Sequence, residues 1–229
     1  MKELVKYFIE NGIYPDEEFK KSEQEAIKKL SIPMKNNFYD YYKKRKIWFT
    51  SDLHFGHNKE FLWGPRGFES SQEHDEAVIR NWNSVVDYDD DVYVLGDLML
   101  GDNEYGLNCI KRLSGHIHII LGNHDTETRA VLYLHCPNVE TIDYAREEKF
   151  EKNYFFLCHY PVITANYDDQ KAWAKHLINL HGHTHSDKRF YNNNPYMYNV
   201  SLDAHYNYPV ELNEIIDDIK MFKEQLDKQ

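Results

Sequence analysis

The sequence predicts a layered α/β or α+β domain behind a short helical appendage, and three observations lead there. From Ile47 onward, short β-prone apolar runs alternate with segments of helical period, the pattern of strands and helices stacked in layers. The chain has 229 residues, 41% hydrophobic and 28% charged, enough apolar material for one sizeable core and unlike a disordered or membrane-spanning chain. Before Ile47 the alternation is missing, so the division expected is an N-terminal helical extension over 1–45 and a main domain over 46–229.

In the extension, "ELVKYFIENG" stops at Asn11-Gly12, and Pro15 opens a second helix with Phe19, Ala26, Ile27 and Leu30 as a broken apolar stripe. The basic run 43–46 reads as a solvated flank before a strand, with a phosphate-binding edge as the alternative. Strands follow in "KIWFTS", "DVYVLGD", "HIHIILG", "ETIDYA", "NYFFLCH", "HLINLHG" and "YMYNVSLDA". Between the first two, Ser70 and Glu73 have capping-box spacing, and Val78, Trp82 and Val85 share one face, which predicts a helix over 70–86. Shorter helices are expected near 104–113 and 126–134. The segment "PVELNEIIDDIKMFKEQL" closes the chain as a helix with Leu212, Ile215, Ile216 and Phe222 facing the core.

The charge balance narrows the function. With 27 basic against 38 acidic side chains the net charge is −11, which repels an extended polyanion unless a local basic patch or a metal reverses the field. Cys109, Cys136 and Cys158 have no C-x-x-C spacing, so neither a disulfide framework nor a zinc ribbon is expected and a reducing compartment fits. The start "MKELVKYFIENG" is too charged for a signal peptide, and no run of about 18 apolar residues is present to span a membrane. A cytoplasmic location is the expectation.

Polar residues gather where the expected strands end: Asp52 and His54, Asp97, Asn123 and His124, His159, then His183 with His185. Loops at strand ends are where layered sheets bring distant residues together. Carboxylate, imidazole and amide donors without thiolate suit divalent ions of hard to borderline character, such as Mn²⁺, Fe, Zn²⁺ or Mg²⁺. Any one of these residues alone has a plain structural reading, as a capping aspartate, a turn asparagine or a core histidine.

Taken together and in order, "SDLHFGH", "LGD", "GNHD", "CHYP" and "GHTH" resemble the signature blocks of the calcineurin-like metallophosphoesterase superfamily, over roughly residues 47–210. The loop "PRGF" and the helix "NWN" are also similar to those of small stand-alone bacterial and phage members. The resemblance implies a four-layer αββα sandwich of two mixed sheets and a centre of two divalent ions, Mn²⁺ favoured. In it Asp52, His54, Asp97 and His185 would hold one ion and Asp97, Asn123, His159 and His183 the other, with Asp97 bridging. It further implies hydrolysis of a small phosphate ester, with a nucleotide among the candidates. Attack would be in line by a hydroxide between the ions, and a diester is favoured over a monoester. His124 would face the substrate as a proton donor, and Asp125 would orient its imidazole. Arg66 is a candidate phosphate clamp and His57 a candidate substrate contact, each with an ordinary loop residue as the alternative. A nuclease is disfavoured by the charge balance, and a catalytically silent metal-binding scaffold by the presence of His124 and every ligand position. Oligomeric state is not legible.

Overall fold

A computed structural model of the chain describes residues 45–150, 152–165 and 176–228; the two helices expected in the N-terminal extension lie outside them. The chain divides into two compact units, Met1–Arg45 and Lys46–Gln229, and the second holds the sheets. Among its described residues are nine strands, β1 (Ile47–Thr50), β2 (Asp91–Leu95), β3 (His116–Ile120), β4 (Val139–Asp143), β5 (Ala145–Phe150), β6 (Asn153–Cys158), β7 (Leu177–His181), β8 (Met197–Asn199) and β9 (Val210–Glu211). Five α-helices accompany them among the same residues: α1 (Glu60–Trp63), α2 (Ser71–Val85), α3 (Asn103–Ile110), α4 (Glu127–Tyr133) and α5 (Leu212–Leu226).

The strands form two mixed sheets, ordered β4-β3-β2-β1-β9 and β5-β6-β7-β8. β1 to β4 run parallel and β9 antiparallel. In the second sheet only β5 is antiparallel. Because β1, β2, β3 and β4 are laid down side by side in chain order, right-handed crossovers place α2, α3 and α4 on one face of the first sheet. The other face is left for the second sheet.

Strand alternation then builds two cores from the same segments. Trp48, Val92, Val94, Ile117 and Ile119 pack under the helices with Val78, Ile79 and Trp82 of α2. Their neighbours Phe49, Tyr93, Leu95 and Ile120 point the other way, against Phe155, Leu157, Ile178, Leu180 and Tyr198 of the second sheet and Leu212, Ile215 and Ile219 of α5. Each fully buried side chain of this kind contributes about 1.5–3 kcal/mol of transfer free energy. The outcome is the expected sandwich of two mixed sheets with helices.

Helix α2 begins as its sequence predicts: the Ser70 side chain accepts from the Glu73 N–H, and the Glu73 carboxylate accepts from the N–H of Glu69. Three features depart from the expectation. The strand in "ETIDYA" ends at Asp143, and the chain crosses at Tyr144 into β5, whose "AREEKF" buries only Phe150 and so lacks an apolar alternation to betray it. Residues 210–211, read as helix, form β9 and close the sheet against β1. Asp90, in the aspartate-rich turn before β2 where a carboxylate is ordinarily solvated, is instead buried, accepting from the N–H groups of Lys46 and Asp87 and from Trp48 Nε1. Among the described residues no helix is long and apolar enough to cross a membrane.

Candidate metal centre

The ends of β1, β2, β3, β6 and β7 meet at one edge of the sandwich. Beyond β1 and β2 the ladder continues through Asp52 N to Gly96 O, His54 N to Asp97 O and Phe55 N to Leu98 O, at 3.0, 2.9 and 3.0 Å. Gly182 N donates to His159 O at 2.9 Å, extending the β6–β7 ladder, and the Ser51–Ser201 bridge joins the two sheets where the polar residues lie. Gly122 and Gly182 allow the approach: a Cβ on Gly122 would collide with Asp97 Oδ1, and one on Gly182 with Ser51 Oγ and Asp52 Oδ2.

Local backbone geometry marks the same residues. Asp52, His54, Asp97, His183 and His185 have φ of 59°, 50°, 58°, 67° and 47°. Asp, Asn and His tolerate this left-handed region better than most residues, yet each still costs on the order of 1–3 kcal/mol. Strain of this kind persists where the surrounding structure over-determines it and collects at functional sites.

The seven sequence-predicted donors converge. His54 Nε2 lies 3.8 Å from Asp52 Oδ1, 3.7 Å from Asp97 Oδ2 and 3.3 Å from His185 Nε2. His185 Nε2 is 3.7 Å from Asp52 Oδ1. Asp97 Oδ2 is 3.5 Å from His159 Nε2. Asn123 Oδ1 sits 2.9 Å from both His159 Nε2 and His183 Nδ1. Two groups have the compactness of metal sites, Asp52 with His54 and His185, and Asp52 with Asp97 and His159.

Hydrogen bonds fix which ring nitrogens carry lone pairs. His159 Nδ1 is 2.8 Å from the Leu95 carbonyl and His185 Nδ1 3.1 Å from an Asp203 carboxylate oxygen. Neither partner can donate, so both Nδ1 atoms carry the proton and, in the neutral ring, both Nε2 atoms turn lone pairs inward. There they face other acceptors, and Asp52 Oδ1 is buried with no hydrogen-bond partner. A convergence of lone pairs around a buried carboxylate oxygen is the donor set a cation requires. Donors held about 2.1 Å from an ion in tetrahedral array lie about 3.4 Å apart, close to the separations around His54. The residues present therefore fit divalent ions.

Electrostatics agree. Burial, helped by the neighbouring His185, holds His54 down to about 2, so its ring is neutral and ready to ligate. Burial and His159 also lower His183. Burial raises Asp97 against the pull of His159, the cost of an anion without its counter-charge. His185 is raised, chiefly by its hydrogen bond to Asp203.

The structure corrects two of the sequence-based roles. Arg66 is not a free phosphate clamp: its side chain is 1% exposed, and Nε and Nη2 donate to Asp203, Nη2 to the Asp52 carbonyl and Nη1 to His74 Nε2. Asp125 does not orient the His124 ring. Its buried carboxylate accepts from the N–H groups of Asp97, Leu98 and Gly122 and from the Tyr133 hydroxyl, and so ties the loops after β2 and β3 together. His124 stands at the rim with its side chain 42% exposed, Nε2 4.0 Å from Asp97 Oδ2. His57 lies one ring further out, 5.8 Å from the His54 ring, with Nδ1 accepting from Lys59 N. Sequence reasoning missed three neighbours: Ser51, which donates to Asp52; Tyr160, packed edge-on against His159 and His183; and Asp203. Ser51 and Tyr160 adjoin recognised blocks and were within reach. For Asp203 only its place just beyond a strand hinted at the site.

Comparison with known proteins places this geometry in context. The family model described as calcineurin-like phosphoesterase matches residues 45–225. An uncharacterised protein of Methanocaldococcus jannaschii is 32% identical over 180 residues, covering 75% of this chain and 90% of that protein. The gene 66 protein of Mycobacterium phage D29 is 31% identical over 202 residues, covering 76% of this chain and 97% of its own length. Among solved structures, a protein of unknown function from Aquifex aeolicus superposes with a TM-score of 0.57 at 21% identity, covering 76% of this chain and 99% of that one, which supports the fold.

Proposed function

The chain belongs to the calcineurin-like phosphoesterase family and is a metal-dependent phosphoesterase, and from that premise we propose that it hydrolyses a small phosphodiester at a centre of two divalent ions. Asp52, His54, Asp97 and His185 would hold one ion, and Asp97, Asn123, His159 and His183 the other. The observation that carries this reading is the position of Asp97 Oδ2, 3.7 Å from His54 Nε2 on one side and 3.5 Å from His159 Nε2 on the other. When bound, the ions supply Lewis acidity to phosphoryl oxygens and acidify a water so that attack is feasible at neutral pH. Two carboxylates leave them a net positive field, which attracts phosphate to a chain of net charge −11. Mn²⁺ is the favoured ion, a nucleotide is among the candidate esters, and the catalytic unit is 46–229 with 1–45 as an extension.

His124 is the catalytic residue that remains for the leaving group. Its peptide N–H is anchored to Asp97 Oδ1 at 2.9 Å, while its ring reaches solvent at the rim. From there Nε2 can donate to a phosphoryl oxygen or protonate the departing alkoxide. His124→Ala is expected to keep its metal and to lose about 10²–10⁴-fold in turnover of an alkyl diester, with a much smaller loss on an activated aryl ester that needs no acid. Parent-level turnover of the alkyl ester would refute that role.

The whole reading is tested on metal-stripped protein reloaded with Mn²⁺, Zn²⁺, Mg²⁺ or Ca²⁺ and assayed on aryl monoesters, aryl diesters and a labelled oligonucleotide. Two ions per chain and a diester preference are expected. A monoester preference, or cleavage of the oligonucleotide in preference to small diesters, would overturn the substrate class. No turnover with any ion would leave a scaffold.

A further inference from the structure

Arg66 and Asp203 are 137 positions apart, yet they form a two-point pair whose second face reaches the centre. Asp203 sits in the single 3-10 turn Leu202–Ala204 that follows β8, and its Oδ2 accepts from His185 Nδ1. Beside that bond His185 stacks on the His54 ring, centroids 5.2 Å apart, and its side chain is 39% exposed; among the described residues no other hydrogen bond fixes its Nδ1. The same guanidinium grips the Asp52 carbonyl and, through His74 and Asp75, is tied to α2 and to the Gly56 N–H, where Asp75 Oδ2 accepts at 2.9 Å. The pair is turned inward, its side chains 1% and 14% exposed and engaged with protein groups. We propose that Arg66 and Asp203 are positioning residues: they fix the ring orientation and tautomer of His185 and the backbone of Asp52, and so set the affinity of one ion while leaving the other unaffected.

The asymmetry between the two ions carries the inference. His159 has its Nδ1 fixed by the Leu95 carbonyl, a backbone group that no substitution removes. The equivalent partner of His185 is a side chain, which is itself oriented by a second side chain. Carboxylates behind metal-bound histidines commonly act this way, and their removal weakens metal binding by about 10–100-fold. Lysine in place of Arg66 would keep the charge but lose the planar fork that reaches Asp203, the Asp52 carbonyl and His74 at once.

The inference rests on the ligand role proposed above for His185, and the test separates the two. Metal-stripped parent, Asp203→Asn, Arg66→Lys and His185→Ala proteins are titrated with Mn²⁺ by calorimetry, and the metal-free proteins are compared by ¹⁵N NMR of histidine. Asp203→Asn is isosteric and serves should Arg66→Lys not fold. Affinity for one ion is expected to fall about 10–100-fold in both positioning variants, with the other ion unchanged. The His185 nitrogen shifts should move from the Nδ1–H form toward a mixture of tautomers. Unchanged affinities, or an unmoved His185 signature, would overturn the inference, as would equal weakening of both ions. If His185→Ala itself still bound two ions with parent affinity, the proposed ligand set would be what had failed.

Discussion

Asp97→Asn is expected to lose metal and to turn over the best diester at least about 10³-fold more slowly than the parent. The side chain is 3% exposed, and its Oδ2 lies between histidines of the two proposed ligand sets. Asparagine preserves the shape and can still accept the His124 N–H through Oδ1, so the fold has little reason to change. In the centre proposed above it removes one of the two negative charges that would offset the repulsion between the two cations. Because burial already raises Asp97, metal-free Asp97→Asn protein should melt no lower than metal-free parent. That comparison distinguishes loss of a ligand from loss of structure. A variant that retains two ions per chain and turnover within tenfold of the parent would show that Asp97 is not shared.

Asp125→Ala should be among the most destabilising single changes near the site. Four donors converge on this carboxylate: Asp97 N at 2.7 Å, Leu98 N at 3.2 Å, Gly122 N at 2.9 Å and the Tyr133 hydroxyl at 2.7 Å. Each donor left unpaired in the interior costs about 1–3 kcal/mol. With partial relaxation, a loss of about 3–5 kcal/mol is expected, read as a shift in the urea midpoint at unchanged slope. Metal affinity should fall with it, because the backbone carrying Asp97 is no longer pinned to Gly122. If Asp125 instead served the His124 ring, the variant would keep its stability and lose only turnover of poor leaving groups. The two outcomes do not overlap.

The legible part of this protein was what contiguous residues encode. The strands read in "KIWFTS" and "DVYVLGD" are found as β1 and β2. The Ser70 cap and the stripe of Val78 and Trp82 fixed α2. The donors stood in recognisable order, and the structure gathers all seven. The polar edge strand β5 escaped because exposure on its faces erases the apolar rhythm that announces a strand. The two-residue β9 escaped because it is shorter than any period.

The sequence by itself determined which donors are available, which strands and helices carry them, and the kind of ion that such oxygen and nitrogen groups attract. Tertiary structure alone decided how the supporting residues are used: Arg66 turned inward to Asp203, Asp125 turned to backbone amides and away from His124, and the protons of His159 and His185 placed by Leu95 and Asp203. The reason is physical. Periodicity and capping act between near neighbours, whereas the partner of a buried fork or ring nitrogen is chosen by packing between segments that fold together from far apart in the chain.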